Sequence, residues 1–594
     1  MNDEVDKTRD EGGTGRWGQR MRRLARPLQS FFSNENILLF ALSILIGALG
    51  AYIALGFRES IALIQWLFYQ ETSEELTSRI LELQWWHVLM APAVGGLFVG
   101  WINVRFLEGR RARGIANVIE KNALDGAVLP KKPGLFSALA SSASIGAGAS
   151  VGREGAILHL TSTVSSWAAR SLKLDTAHVH TLLGCGVAAA VAASFNAPIA
   201  GVFFALEVVL RHYSLSAFAP VVIASVIGTM ITRVHFGDFP AYVLPHYEIV
   251  TFWEFPAFVL LGGISGLTAI IFIASIFFAE DVIAKVKLPL WLKPAVGGLL
   301  VGAMALVFPQ VLGVGYETTD LALNQQMDLG LNLLLALVAF KVAAVAISIG
   351  AGFGGGVFSP SLFVGALVGS AFGLIASAAF PDLGVNTGLY AVVGMAATSA
   401  AVLGAPISTI LIVFELLGDF KITIGVMSGA AVSTLILQQL YGRSFYMGQL
   451  KRAGVELEGA RAMQILRQQS VGDVIRRDFF AVEATTKLMP LIDTLHTMPE
   501  GSEAVVVEDG QYFVGTISLE DVKDVAFDPL ANEDAIEAQM FSRLYPVVLT
   551  VDQTLAQAIV QMEKWDVDRL PVVESEESMV TAGMVDKNTL LSSY

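Results

Sequence analysis

The sequence carries a single cysteine, Cys185, in 594 residues. That leaves no intrachain disulfide and no metal cluster built on cysteine. Charge is also scarce: Asp, Glu, Lys and Arg make up 15% of the chain, against about 25% in an ordinary soluble domain. The eight histidines are scattered. The closest pair, His178 and His180, has a spacing that is weak evidence for a ligand set. No nucleophile–base pair, zinc-spaced histidines or phosphate-loop lysine is present, so the chain does not read as an enzyme, and no cofactor is expected in its apolar body. The net charge of −14 excludes a nucleic-acid partner. What is abundant is apolar: 54% of residues are hydrophobic and mean hydropathy is +0.60. A single water-soluble domain is thereby excluded, and a polytopic membrane protein embedded in a lipid bilayer is implied.

The acidity is unevenly placed. Residues 451–594 hold 25 acidic and 12 basic side chains, which leaves 28 and 27 for the first 450. A nearly neutral apolar body therefore precedes an acidic tail. Residues 1–35 form a polar tail ending in the basic run Arg16, Arg20, Arg22, Arg23 and Arg26. No short apolar core with a small-residue cleavage site follows, so a removable signal peptide is not expected. Ile37–Leu55 is long enough to span a bilayer. The arginines before it place the N-terminus in the cytoplasm. Arg443, Lys451 and Arg452, after the last apolar run, put the C-terminus on the same side. An even number of crossings follows, in a plasma (inner) membrane.

Within residues 36–450 some apolar segments are full spans, such as Ala257–Phe278 and Leu331–Ile349, while others are short and interrupted. The chain also repeats itself. Ser144-Ile145-Gly146-Ala147-Gly148 recurs as Ser348-Ile349-Gly350-Ala351-Gly352, an offset of 204, and Ala197-Pro198-Ile199 recurs as Ala405-Pro406-Ile407, an offset of 208. A glutamate follows each proline by nine residues, Glu207 and Glu415. Interrupted helices in matching halves point to a transport site at an inverted-repeat interface. The expected fold is an all-α polytopic membrane protein of broken helices, in two inverted repeats over about 36–240 and 250–446. A linker, 451–469, leads to two mixed α/β units, 470–530 and 531–594. In the first, helix Lys487–Met498 precedes apolar runs Ala504–Val507 and Tyr512–Ile517; in the second, Thr554–Lys564 precedes Leu570–Val573 and Val580–Val585.

The most unusual local feature is a charged pair in Gly-rich apolar sequence, Gly152-Arg153-Glu154-Gly155-Ala156. Ionisable groups at membrane depth are costly and mark functional sites. This stretch resembles the G-K/R-E-G-P motif of the CLC family of chloride channels and proton-coupled chloride exchangers. Gly356-Val357-Phe358-Ser359-Pro360 is similar to the family's G-x-F-x-P motif, and Phe195–Gly201 to its next helix. Tyr446 falls where that family has an anion-binding tyrosine. The tail resembles a pair of CBS domains.

The resemblance implies a homodimer with one pore per subunit, conducting chloride or a similar small anion. Glu154 would be the gate. The backbone at Gly152, Arg153, Gly155, Gly356, Val357 and Phe358, with Tyr446, would bind the anion. Physics favours such a site, because helix N-termini present unpaired N–H groups at the positive end of the dipole. In place of the family's G-S-G-I-P, the chain has Ala112-Arg113-Gly114-Ile115-Ala116. Arg113 either lines the pathway or reaches the interface with Arg105, Arg110 and Arg111. Lys341, in an apolar run, snorkels, pairs, or adds positive potential to the pore. Glu207 either caps a helix end or borders a water path. At Val208 the family's exchangers carry a proton-relaying glutamate and its channels valine, so the expectation is a passive channel. The alternatives are a proton-coupled exchanger and, from another class, a CBS-bearing divalent-cation channel. In the tail, Ser518 and Asp521 match a segment that binds nucleotide ribose in some CBS pairs, whereas the second copy has Asp586 where Ser or Thr is usual. A dimer-supporting regulatory module is the first expectation for the tail, and an adenine nucleotide is a candidate ligand there.

Overall fold

The computed structural model describes residues 35–73, 76–107, 111–237, 254–325, 330–381 and 386–455, then 466, 469–477, 479–499, 502–526, 535–544 and 547–591. The N-terminal tail, Arg110 and most of the linker lie outside the described residues. The chain divides after Val455 into two compact units.

The first unit is helical throughout. Among the described residues, eight stretches are long and apolar enough to cross a membrane. The helices of the unit begin with α1 (Glu35–Tyr69), after which come α2 (Leu76–Ile80), α3 (Trp85–Phe106), α4 (Ile115–Leu124), α5 (Lys131–Gly146), α6 (Glu154–Ser171), α7 (Thr176–Phe195), α8 (Pro198–Phe204) and α9 (Leu215–Phe236). The second half runs α10 (Glu254–Lys285), α11 (Lys293–Ala305), α12 (Tyr316–Leu323), α13 (Leu331–Ala351), α14 (Phe358–Ala379), α15 (Thr387–Leu403), α16 (Pro406–Leu417), α17 (Phe420–Leu440) and α18 (Phe445–Arg452). Pro198 and Pro406 each sit in the first turn of their helix, where the missing N–H costs nothing.

The two repeats meet through reciprocal contacts. Gly152 N–H donates to the Gly356 carbonyl at 2.7 Å and Gly356 N–H to that of Gly152 at 2.8 Å. Ser150 N–H donates to Ser348 Oγ at 3.1 Å, and its counterpart Gly354 N–H to Ser144 Oγ at 2.9 Å. The same pairing exposes a further repeated stretch, Pro92–Gly100 against Pro294–Gly302, which differ only at Phe98/Leu300. These glycines let α3 and α11 pack backbone on backbone. A Cβ on Gly96 would strike the Pro294 carbonyl, and one on Gly298 the Pro92 carbonyl. The inverted-repeat, broken-helix architecture is thus present in the contacts themselves.

The second unit holds two three-stranded sheets of the same design. In one, β1 (Ala481–Glu483) runs parallel to β2 (Ala504–Glu508), which pairs antiparallel with β3 (Tyr512–Ile517). In the other, β4 (Leu549–Thr550), β5 (Arg569–Val573) and β6 (Thr581–Asp586) repeat the pattern. The register shifts between Val506 and Val507 in the first sheet and between Val572 and Val573 in the second. The helices after β1 and β4, α20 (Leu488–His496) and α22 (Leu555–Trp565), bury Leu491 and Leu495, and Leu555 and Met562, in separate small cores. The remaining short helices are α19 (Val471–Val474), α21 (Leu519–Ala526) and α23 (Lys587–Leu591).

Candidate anion site

Each half of the membrane unit breaks its helices where the glycines cluster, and the resulting helix starts converge. The Gly152–Gly356 pair brings the beginnings of α6 and α14 together. A Cβ on Gly155 would lie 3.5 Å from Gly356 Cα and 4.0 Å from Ile115 Cγ1, so the start of α4 joins them. Gly355 holds φ at 148°, a conformation glycine adopts freely. No side chain caps α4, α6, α14 or α18. By contrast, Asp175, Asn386 and Asp419 cap α7, α15 and α17. The first-turn N–H groups of the converging helices therefore remain available to a ligand. Phe358 is buried beside them, its ring 4.9 Å from that of Phe195.

Glu154 opens α6 and is 3% exposed. Its Oε1 accepts from the Tyr316 hydroxyl at 2.9 Å and from Ser359 Oγ, and the two hydroxyls lie 3.3 Å apart. Its Oε2 is buried without a partner. Arg153 stacks over the Tyr316 ring, with Cζ 4.7 Å from the centroid. Both line a cavity of about 620 Å³ whose wall also includes Arg58, Gln65, Phe236 and Glu317. Tyr446, on the first turn of α18, interacts electrostatically with Glu154. Its hydroxyl is buried and has no hydrogen-bond partner among the described residues. An unpaired buried donor is costly, and a bound anion would satisfy it.

The remaining sequence-predicted residues are placed as follows. Arg113 is half-buried just before α4, where its backbone N–H donates to Ser137 Oγ at 2.9 Å, and it interacts electrostatically with the buried His159. Arg111 pairs with Glu280 and also donates to the Gly350 carbonyl at 3.1 Å. Lys341 does not snorkel. It is fully buried, and its Nζ donates to the carbonyls of Val311 and Gly313 at 3.1 and 3.0 Å. Glu207 caps a helix: it accepts from the N–H groups of Ile407 and Ser408 at the start of α16 at 3.1 and 2.8 Å. Glu415 returns the favour to Ile199 and Ala200 at the start of α8 at 2.9 and 2.8 Å. Val208 is buried in a π-helical turn, Ala205–Leu210, that ends α8. In the second unit, Ser518 donates to Asp521, which also pairs with Arg543 at 2.5 Å. Asp586 accepts from Thr589 N–H at 2.8 Å. Sequence reasoning passed over Tyr316, which has no local signature, and Ser359, which lies inside a recognised motif.

A buried carboxylate amid uncapped helix starts, in a repeat of broken membrane helices, defines a multi-pass membrane protein of the anion-transport class. The profile of the family described as voltage gated chloride channel matches residues 95–438, and a CBS domain profile matches 540–594. The chain belongs to that chloride-channel family, the CLC proteins, and carries a C-terminal CBS region. It is 33% identical over 393 residues to a ClcB-like protein of Ralstonia nicotianae, covering 66% of this chain and 91% of that protein. The voltage-gated ClC-type chloride channel ClcB of Escherichia coli is 30% identical over 405 residues, covering 68% and 96%. Among solved structures, a slow cyanobacterial Cl⁻/H⁺ antiporter superposes with a TM-score of 0.63 at 21% identity, covering 70% of this chain and 97% of that one.

Proposed function

We propose that the protein passes chloride or a similar small anion across the membrane through the converging helix starts, with Glu154 as the gate. One observation carries this reading. The Glu154 carboxylate, itself an anion, lies among uncapped helix N-termini, with one oxygen held by two hydroxyls and the other unpaired. Ionised, it occupies the site and competes with the permeant anion; protonated, it withdraws. Gly152, Arg153, Gly155, Gly356, Val357 and Phe358 supply backbone to the anion, Gly114 and Ile115 extend the site at α4, and Tyr446 donates its hydroxyl.

Conduction is passive on this reading, because Glu207 is spent as a helix cap and Val208 offers nothing that titrates. Exchange against protons is the second reading; the named antiporter among the solved neighbours shares the fold. The protein works as a homodimer with both termini in the cytoplasm, and Ser518 and Asp521 mark the candidate nucleotide site in the tail. Glu154→Gln in liposomes tests the gate: anion flux is expected to persist and to lose its dependence on pH. A flux that still titrates in that variant overturns the assignment.

A further inference from the structure

Tyr316 reaches Glu154 from a short strap, and the strap has an anchor of its own. It runs from a 3₁₀ turn, Pro309–Val311, to the first residue of α12. Gly313 and Gly315 adopt φ of 61° and 90°, so the strap is tightly bent. It contributes Leu312, Gly313, Val314 and Gly315 to the wall of the 620 Å³ cavity that Arg153 and Tyr316 also line. Val311 and Leu312 are buried in an apolar cluster with Tyr69, Ile80 and Ala344, and further contacts bear on the strap's backbone. Gly313 N–H donates to the Gly148 carbonyl at 3.1 Å, beside the first Ser-Ile-Gly-Ala-Gly copy. The Phe363 ring packs on Gly315, where a Cβ would lie 2.6 Å from it. Lys341 reaches across from α13 and gives both of its hydrogen bonds to strap carbonyls.

Burying an amine at membrane depth is expensive, and methionine would fill the same space. Lys341 is nevertheless fully buried, its Nζ 4.6 Å from the Phe363 ring centroid, and its hydrogen-bond partners are backbone carbonyls rather than a carboxylate. We infer that Lys341 is a positioning residue for the gate: it clamps the strap so that the Tyr316 hydroxyl meets Glu154, and thereby sets the pH at which the gate opens. A hydrogen bond donated to a carboxylate favours its ionised, closed form. Losing that bond should let the gate open at higher pH.

This inference rests on Glu154 being the gate, so Glu154→Gln serves as the control in the same assay. Initial chloride efflux from liposomes is measured across a pH series for the wild type, Tyr316→Phe, Lys341→Met and the double variant. Tyr316→Phe is expected to move the half-maximal pH up by about one unit, a tenfold change in the protonation equilibrium. Lys341→Met should move it in the same direction. The double variant should match Tyr316→Phe alone, because residues acting through one contact are not additive. Phe363→Leu, a milder loosening of the strap, should give a smaller upward shift and keeps the test open if Lys341→Met fails to fold. An unchanged midpoint in Lys341→Met and Phe363→Leu overturns the clamp. Fully additive shifts overturn it as well, since they mean that Lys341 acts by charge alone. Retained pH dependence in Glu154→Gln instead removes the gate reading beneath it.

Discussion

Tyr446 and Glu154 are polar groups of opposite kinds held in one apolar place, and neither is fully satisfied among the described residues. For Tyr446 the missing partner is an acceptor, which is what an anion provides. Tyr446→Phe keeps the ring, whose neighbour is Phe445 at 5.8 Å, and deletes only the donor. It is expected to weaken anion binding by about 1 kcal/mol, the usual net value of a neutral hydrogen bond. Isothermal calorimetry on the detergent-solubilised protein checks this; an unchanged affinity removes Tyr446 from the site while leaving the backbone groups. Residues of this kind are legible in a sequence when a short motif carries them, as with Gly152–Gly155 and Gly356–Pro360. Tyr316 was not legible, because it reaches Glu154 across 162 residues of chain from an eight-residue helix. For Lys341 the sequence left three readings open, of which burial removes snorkelling: the apolar run around it specifies a span but not which neighbour fills the space beside it.

At the scale of helices, the repeat is held by exchange. The glutamate that follows each Ala-Pro-Ile start caps the helix of the other repeat, with Glu207 on α16 and Glu415 on α8. A carboxylate at a helix N-terminus accepts otherwise unpaired N–H groups and opposes the dipole. Glu207→Gln should therefore lower stability by about 1 kcal/mol, the typical value of a lost cap. Thermal unfolding in detergent would register it, with the pH midpoint of flux left in place. If Glu207 bordered a proton path instead, the substitution would leave stability alone and alter proton movement. The sequence disclosed the repeat through its glycines and prolines, since those residues are demanded by the breaks themselves. It did not disclose the capping exchange, because a pairing between repeats has no local spacing to betray it. In the tail α20, α22 and the longer strands were read within one or two residues, while α19, α21 and α23 were not read at all. Strands β1 and β4 were missed, being three and two residues long and too short to show alternation.

The molecule as a whole joins an apolar, charge-poor transport unit to an acidic α/β unit, and the two respond to pH for different reasons. In the acidic unit, hydrogen bonds from the Ser470 backbone N–H and hydroxyl hold Asp473 below the usual carboxylate range. Those from Lys487 and then Gln539 do the same for Glu537. Such groups add stability above their unfolded values and lose it as pH falls through their lowered folded ones. The C-terminal unit should thus melt at progressively lower temperature below about pH 4.5, near the ordinary carboxylate range. Scanning calorimetry of the full chain between pH 7 and pH 3 would show it, and a pH-independent melt would refute it. On the proposed reading the transport unit answers to pH through Glu154, and the larger question is whether protons merely open it or also cross. Crossing requires a titratable relay or a file of water between the inner solution and Glu154, because apolar packing conducts no protons. On the helix that ends α8 the positions at issue are Glu207, engaged on α16, and Val208, buried and apolar. Adjacent residues of a helical turn point in different directions, and Glu207 is held on α16, so the carboxylate does not substitute for its neighbour. We therefore propose passive conduction. A chloride gradient imposed across proteoliposomes should run down without driving protons uphill, as read by a pH electrode in the external medium. Proton movement at a fixed ratio to chloride would instead establish coupling and require a water file past Val208. Val208→Glu then becomes the informative variant: if the missing carboxylate is all that separates conduction from exchange, it should introduce proton movement where the wild type has none.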